Sequence, residues 1–327
     1  MTKVQSIAGN YRERYLKILQ FFLTLAVTTV FFVFFWRRID ISATIVSIKN
    51  ADISFLIVAI ATSFIMTVVL APLQWKFLLE AFNCHIGFWE SLFIKLSVTP
   101  LKGLFPLKSG ELFRCGYLHQ RHGTPMIQSL KAVAVNLTLN LILLVIFSAV
   151  GAVVNRKQVF LYRFVLAAIM LGIIMIAVVA HWYILHKNYY GKKFFDKIIY
   201  TIVFFQSSQT TLIAKIVILS LAIELSELIA FFWICRSLQL NVSFSLILFL
   251  LPLAIIIANL PVAIFGLGTR EAAILFMFFG IASQEKLLGC SLVYFCACYL
   301  LPAFIGLPCL VPFFGTLMRP RKEVIQR

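Results

Sequence analysis

The stretch LPVAIFGLGTRE, residues Leu260–Glu271, decides the fold because it puts a helix break and two charges into apolar sequence. Pro261 opens the stretch, two glycines follow, and Arg270 and Glu271 end it. A second stretch, LFPLKSGELFR at Leu104–Arg114, has the same order of proline, glycine and opposite charges. A charged residue at the centre of a spanning helix costs about 2.5–3.5 kcal/mol on insertion scales. We therefore expect these charges to be paired, to bind a polar ligand, or both.

The composition is that of an integral membrane protein. Of the 327 residues, 62% are hydrophobic, and the mean hydropathy is +0.99. Soluble domains are about 45–50% apolar, and a spanning helix needs about 20 apolar residues. We predict one all-α, polytopic transmembrane domain over residues 1–327, with six to eight spanning helices. The net charge of +17 fits basic cytoplasmic loops as well as attraction to anionic lipids.

The order of apolar runs suggests two halves, about 16–154 and 161–314, followed by a basic cytoplasmic tail at 315–327. The predicted spans are 16–36 (a retained first helix, not a signal peptide), 53–79, 126–154, 161–186, 211–235 and 287–314. The segments 86–120 and 244–281 are interrupted, and we predict that they form broken, re-entrant hairpins. Three crossings per half would invert the second half, as in many transporters. We expect both termini to be cytoplasmic and the protein to lie in the cell membrane.

The second motif has the features of an anion site. Gly266 and Gly268 allow backbone geometry that other residues avoid, and we expect Thr269 to cap a helix over 270–281. The N-terminus of that helix and the planar guanidinium of Arg270 suit a phosphate. The other interpretation is structural. An ion pair of Arg270 with Glu271 or Glu111 would hold the broken helices together.

The first motif offers a second group of candidate headgroup ligands. Lys108, Glu111 and Arg114 are spaced three apart after the break, and Gly110 lies among them. Residues three apart meet on one helical face. Glu224 and Glu227 share a face of another span, where they could pair with these basic residues or stay protonated. Coupling of transport to protons is one function that this pair could have.

Other classes of protein find little support in the sequence. Cysteine and histidine do not cluster at metal-ligand spacing, so we predict no metal and no cofactor. Motifs for nucleotide binding, serine hydrolysis or sugar-nucleotide transfer are missing. We therefore expect no enzymatic activity and no nucleic-acid partner. A membrane-embedded transferase that uses Glu224, Glu227 or Glu111 as a base is a weaker hypothesis.

The two motifs resemble those of the lysylphosphatidylglycerol synthase transmembrane family, also called flippase-like proteins. The matching residues are Pro106, Gly110, Glu111 and Arg114 in the first motif, and Pro261, Gly266, Gly268, Arg270 and Glu271 in the second. The chain is similar to the N-terminal membrane half of the multiple peptide resistance factor. That protein carries a soluble aminoacyl-transferase domain, whereas this chain ends at Arg327, so the resemblance implies no synthase activity.

The resemblance implies that the protein moves or handles membrane lipids. The expected substrate is an anionic lipid: a phospholipid, an aminoacylated phospholipid or an isoprenoid-linked lipid. The first hypothesis is a translocase. The alternative is a non-transporting subunit that presents a lipid-linked substrate to a partner glycosyltransferase or aminoacyl-transferase. The expected partners are membrane lipids, a lipid-modifying enzyme and further copies of the chain.

Overall fold

The computed structural model describes residues 39–104, 110–155, 210–259 and 268–318. These residues form nine helices and no strand. In chain order the helices are α1 (Ile41–Lys49), α2 (Ile53–Glu80), α3 (Phe88–Leu104), α4 (Gly110–His122), α5 (Met126–Val154), α6 (Thr210–Ser237), α7 (Phe244–Ala258), α8 (Thr269–Met277) and α9 (Gln284–Met318). Two of them contain a turn of π-helix, α2 at Met66–Leu70 and α9 at Cys296–Leu300.

Four helices, α2, α5, α6 and α9, are long and apolar enough to cross a membrane. They confirm the spans predicted at 53–79, 126–154, 211–235 and 287–314. The spans predicted at 16–36 and 161–186 lie outside the described residues, as does most of the tail predicted at 315–327. Helix α1 was not predicted. It begins where the Asp40 carboxylate accepts a hydrogen bond from the Ala43 amide at 3.1 Å.

The two interrupted segments form pairs of short helices. Helices α3 and α4 have 17 and 13 residues, and α7 and α8 have 15 and 9. At about 1.5 Å per residue each is shorter than the roughly 30 Å of a hydrocarbon core. Helix α8 ends at Met277, earlier than the predicted 281, because the chain turns through Gly280 with a positive φ of 76°.

The first hairpin opens at one end of the bundle. Cys84, before α3, lies 3.3 Å from Thr124, after α4, measured from sulfur to hydroxyl oxygen. The last turn of α9 lies at the same end, since a Cβ on Gly116 would be 3.0 Å from Leu317. Helix α3 therefore starts, and helix α4 finishes, at this end of the bundle, which we call the first end.

The second hairpin opens at the opposite end. The Ser245 hydroxyl in α7 donates to the Asn155 side chain after α5 at 3.0 Å. The Asp52 amide before α2 donates to the Ser237 carbonyl at the end of α6 at 2.8 Å. The ends of α5 and α6 therefore lie beside the start of α7. Helices α4 and α8 consequently start away from the ends at which their hairpins open, and their first residues, Gly110 and Thr269, are buried.

Small residues allow the hairpins to pack closely against long helices. A Cβ on Gly151 of α5 would run into the backbone of Phe249 in α7, and the Ser148 hydroxyl donates to the Phe249 carbonyl at 3.1 Å. A Cβ on Gly306 of α9 would run into the Leu96 carbonyl in α3. Close backbone approach at small residues is typical of helix packing in membranes. The same device thus fixes α7 against α5 and α3 against α9.

The outer surfaces of the long helices are apolar. Helix α5 exposes a row of aliphatic side chains, namely Leu137, Ile142, Val145, Ile146, Val150 and Val153. Helix α9 exposes Phe304, Leu307 and Val311. Soluble monomers rarely expose contiguous apolar patches of this kind. Two buried cores lie behind these surfaces, one around Phe231 and one around Trp75, and an aromatic residue of each lies beside one of the motif arginines.

Candidate functional site

The second motif begins α8 with a backbone cap. Gly268 has a positive φ of 88°, a conformation that residues with a Cβ rarely adopt. Its amide donates to the carboxylate of Glu271, three residues into the helix. The prediction that Thr269 caps this helix is wrong: Thr269 is its first helical residue. Since the Glu271 side chain reaches back to the Gly268 amide, the cap comes from inside the helix.

Arg270 is buried in an aromatic cage. Only 5% of the residue is exposed. Its guanidinium carbon lies 3.7 Å from the ring centre of Tyr299, 5.4 Å from that of Phe295 and 5.9 Å from that of Tyr294. The face of an aromatic ring attracts a cation by about 2 kcal/mol or more when the pair is desolvated. These rings therefore offset part of the cost of keeping the charge in the bundle.

Glu227 of α6 completes the second site. Its Oε1 atom accepts hydrogen bonds from Tyr294 at 2.5 Å and from Tyr299 at 2.8 Å. Glu227 and Glu271 both interact electrostatically with Arg270. We call Glu227, Arg270, Glu271, Tyr294 and Tyr299 the Arg270 cluster. It joins helices α6, α8 and α9 around one cation.

The π-helical turn of α9 shapes this cluster. Tyr299 belongs to that turn, and the carbonyl of Ala297 in the same turn accepts a hydrogen bond from Ser63 at 2.9 Å. Ser63 lies just before the π-helical turn of α2. Single π-helical turns occur frequently at functional sites. Here one of them presents an aromatic ring to Arg270.

The first motif forms a second buried site around Arg114 of α4. Arg114 and Glu111 are only 2% and 6% exposed, and Nε and Oε2 lie 3.0 Å apart. The N–H is not aimed at that oxygen, so the contact is an ion pair without a hydrogen bond between these atoms. The Arg114 guanidinium also lies over the Trp75 ring of α2, 4.9 Å from its centre.

This first site contains two buried N–H donors, Nη2 of Arg114 and Nε1 of Trp75, that have no hydrogen-bond partner among the described residues. A buried donor without a partner costs about 1–3 kcal/mol. An oxygen-rich anion could satisfy donors of this kind. We call Glu111, Arg114 and Trp75 the Arg114 cluster.

The remaining predicted residues are distributed as follows. Gly110 begins α4, and Glu224 is buried in α6 at 4% exposure. Lys108 and Gly266 lie outside the described residues. The structure brings Glu227 to Arg270 and Glu111 to Arg114. A ligand role for any of these residues stays a prediction. In the described ranges, no group of three or more His, Cys, Asp or Glu is placed to hold a metal ion.

Sequence reasoning missed the aromatic members of both clusters. Tyr294 and Tyr299 are five residues apart, which in a regular α-helix places their side chains about 140° apart. The π-helical turn between them brings both hydroxyls to the same Glu227 oxygen. Trp75 lies 39 residues before Arg114 in the chain. Spacing along the sequence therefore held no signal for either contact.

The chain was compared with models of known protein families. The model described as "Lysylphosphatidylglycerol synthase TM region" matches residues 21–306. The chain belongs to this family. The match includes both charged motifs, eight of the nine described helices in full (α1 to α8) and most of α9. It confirms the resemblance inferred from the motifs and makes the chain a membrane protein of a family related to lipid handling. None of the curated proteins compared with the chain matches it.

Proposed function

We propose that this member of the lysylphosphatidylglycerol synthase transmembrane family translocates the headgroup of an anionic lipid. The observation that carries the proposal is the pair of buried arginines, Arg114 and Arg270. Each lies in the first turns of a short helix that begins inside the bundle. Helix starts and guanidinium groups are the two features that favour phosphate binding.

The packing of the hairpins supports an inverted repeat. In the first half, α3 and α4 are followed by the long helix α5; in the second half, α7 and α8 are followed by α9. Helix α5 packs on α7 of the other half, and α9 packs on α3 of the first half. The hairpins open at opposite ends. A two-fold axis in the membrane plane would relate the halves in this way, with the long helix of each half packed on the hairpin of the other. Such a repeat favours alternating access from the two sides of the membrane.

The two clusters would act on the headgroup in different ways. Arg114 and Trp75 offer unused N–H donors to phosphate oxygens. Arg270 offers a cation whose position is fixed by the Tyr299 ring and by helix α8, which is capped at Gly268. Lys108 would add a further positive charge at the first site. Because Glu111 and Glu271 lie beside the arginines, they would hold the guanidinium groups in place and contact a substrate amine.

Glu227 is the better candidate of the two coupling residues. Its carboxylate is held by two tyrosine hydroxyls and interacts with Arg270. A change in its protonation state would alter the charge around the phosphate-binding cation. Glu224, one turn earlier in α6, would exchange protons with it. We infer that lipid movement is either downhill or coupled to ions through this pair.

The charge distribution favours a cytoplasmic location for the first end. Basic residues near that end include Lys76, Arg121, Lys131 and Lys215. The opposite end has Lys49, Arg236 and Lys286. Cytoplasmic surfaces carry an excess of Lys and Arg. The excess is modest, but it agrees with placing both chain termini in the cytoplasm.

The test is lipid movement in proteoliposomes that contain the purified full chain. Fluorescent phosphatidylglycerol is compared with fluorescent phosphatidylcholine, and wild type with Arg270→Ala. Arg236→Ala is the matched control because Arg236 is exposed in the last turn of α6, at the end of the bundle opposite the first end. We expect faster movement of phosphatidylglycerol, lost in Arg270→Ala and kept in Arg236→Ala, with all three proteins folded.

Two other outcomes would overturn the proposal. Equal loss of folded protein and of activity in Arg270→Ala would assign Arg270 a structural role. If folded wild-type protein moves neither lipid, and a glycosyltransferase or aminoacyl-transferase co-purifies with it, the subunit that presents a lipid-linked substrate becomes the better explanation.

A further inference from the structure

A separate cavity of about 290 Å³ lies at the first end of the bundle. Three helices line it: α3 with Glu90 and Phe93, α4 with Tyr117 and Arg121, and α9 with Pro312 and Thr316. None of these residues belongs to the Arg114 or Arg270 cluster. Ligand pockets usually measure about 300–1,000 Å³, so this one has the size of a headgroup and not of a whole lipid.

Opposite charges meet on one wall of the cavity. Oε1 of Glu90 lies 3.0 Å from Nε of Arg121 and 2.8 Å from Nε2 of His122. The Tyr117 hydroxyl lies 3.5 Å from the same oxygen. The Arg121 side chain is half exposed. A guanidinium has five N–H donors, and the contact with Glu90 involves only the one on Nε. Arg121 can therefore bridge Glu90 and a second anion.

Stacked aromatic rings lie next to these charges. The Tyr117 ring lies parallel to that of Phe313, with centres 5.1 Å apart, and Phe93 is tilted against Tyr117 at 5.9 Å. Phe313, behind Tyr117, is fully buried. The rings of Tyr117 and Phe93 give the cavity an apolar side beside the charged one.

The neighbours of the cavity place it at the level of lipid headgroups. Trp89, beside Glu90, is 78% exposed, and Val311, beside Pro312, is 80% exposed. Exposed tryptophans at the end of a membrane bundle are typical of the membrane–water interface. An exposed valine of a spanning helix faces acyl chains. A lipid lying next to α9 would therefore have its headgroup beside the cavity.

We propose that this cavity binds the headgroup of a phospholipid whose phosphate is followed by a hydrogen-bond donor, such as an ammonium or hydroxyl group. Arg121 binds the phosphate through guanidinium N–H groups other than Nε, which contacts Glu90, and Glu90 accepts from the donor group. The bidentate geometry of a guanidinium suits phosphate while one side still contacts a carboxylate. The site deepens the proposed function, as a place where lipid docks before it enters the first hairpin, but binding here does not require transport.

The test is native mass spectrometry of the full chain equilibrated with phosphatidylethanolamine or phosphatidylcholine. Both lipids carry phosphate and a cation, but only ethanolamine has N–H donors for Glu90. We expect wild type to retain phosphatidylethanolamine about tenfold better, which corresponds to about 1.4 kcal/mol. Arg121→Gln should lose most of this retention, whereas Lys49→Gln, an exposed basic residue at the opposite end, should keep it.

A second variant removes the cavity without touching the charges. Thr316 lines the cavity, and its hydroxyl donates within α9 to the Pro312 carbonyl at 3.0 Å. Thr316→Phe should fill the cavity and abolish the preference for phosphatidylethanolamine while the protein stays folded. Arg270→Ala should retain the lipid at this cavity even if it stops transport. That result separates the docking site from the proposed translocation.

Three outcomes would overturn the proposal. Equal retention of the two lipids by wild type, unchanged in Arg121→Gln and Thr316→Phe, would leave Glu90, Arg121 and His122 as a clasp between α3 and α4. Loss of phosphatidylethanolamine in Arg270→Ala would place the bound lipid at the Arg270 cluster. Binding of inorganic phosphate that depends on Arg121, without retention of either lipid, would make the ligand a free anion.

Discussion

Tyr299 lies between Arg270 and Glu227 and contacts both. Its ring centre is 3.7 Å from the Arg270 guanidinium carbon, while its hydroxyl donates to Glu227 at 2.8 Å. One side chain thus stabilises a buried cation with its ring and a carboxylate with its hydroxyl. Substitutions at this position can therefore separate the two contributions.

Tyr299→Leu should destabilise the protein more than Tyr299→Phe. Phenylalanine keeps a ring for Arg270 and loses the hydroxyl that contacts Glu227 and Tyr294, while Glu227 still accepts from Tyr294. Leucine loses both interactions, and the ring alone contributes about 2 kcal/mol to a desolvated cation. Thermal unfolding of the detergent-purified protein should show a fall in midpoint for both variants, larger for leucine.

Phe304→Leu is the control for ring loss, since that ring lies in the same helix and is 60% exposed. It should leave the midpoint nearly unchanged. Identical midpoints for Tyr299→Leu and Tyr299→Phe would show that the ring does not stabilise Arg270.

Glu227→Gln should remove any pH dependence of lipid movement. Glutamine can still accept from the two tyrosine hydroxyls through its amide oxygen, but it does not ionise. The variant therefore keeps the hydrogen bonds of the cluster and loses the carboxylate near Arg270. Initial rates of phosphatidylglycerol movement, measured across a pH series in proteoliposomes, should be flat for the variant and sloped for wild type.

Glu285→Gln, near the opposite end at the start of α9, is the matched control and should keep the wild-type slope. A slope in Glu227→Gln equal to that of wild type would rule out Glu227 as the coupling residue.

The sequence predicted the long helices well. The apolar run at 126–154 coincides with α5, and those at 53–79 and 211–235 agree with α2 and α6 to within two residues at each end. Uninterrupted apolar runs of this length leave few alternatives in a bilayer, because every backbone polar group must be satisfied within the helix. The described short helices end and begin on either side of 105–109 and 260–267, which agrees with the interruptions predicted from Pro and Gly next to charges.

The contacts between helices were not predictable from one sequence. Threonine is a favoured N-cap residue, yet at this helix the Glu271 carboxylate has the capping role because it accepts from the Gly268 amide. Tyr299 faces Arg270 through an irregular π-helical turn, and propensity gives no warning of such a turn. Which aromatic residue meets which arginine depends on how α6, α8 and α9 cross. That information lies in packing and not in local pattern.

Removing one partner of the Arg114–Glu111 pair should cost more stability than removing both charges. Each side chain is almost fully buried. Breaking a buried pair at one side leaves an uncompensated charge and costs about 3–5 kcal/mol, whereas replacing both with neutral residues is often far less costly. We expect Arg114→Gln and Glu111→Gln each to lower the unfolding midpoint, and the double variant to recover part of the loss.

The measurement is a double-mutant cycle on thermal unfolding in one detergent. Additive losses in the double variant would mean that the two charges do not interact. Arg121→Gln, whose side chain is half exposed, serves as the comparison for loss of an arginine near the surface of the same helix.

Gly151→Ala should weaken the contact between α5 and the second hairpin. Alanine is the better helix former by about 1 kcal/mol, so propensity alone predicts a gain. However, the added Cβ would lie 2.8 Å from the Leu248 carbonyl carbon and closer still to the backbone of Phe249. Backbone cannot rotate away as a side chain can, so α5 and α7 must move apart. We expect a lower unfolding midpoint and slower lipid movement.

Gly315→Ala is the matched substitution, because a Cβ there meets nothing within 4 Å and its helix, α9, is also a long span. This variant should keep or slightly raise the midpoint, as propensity predicts. The comparison cancels the effect of helix propensity and leaves the contact between α5 and α7. If both variants shifted the midpoint equally, the close approach of α5 to α7 at Gly151 would not be what positions the second hairpin.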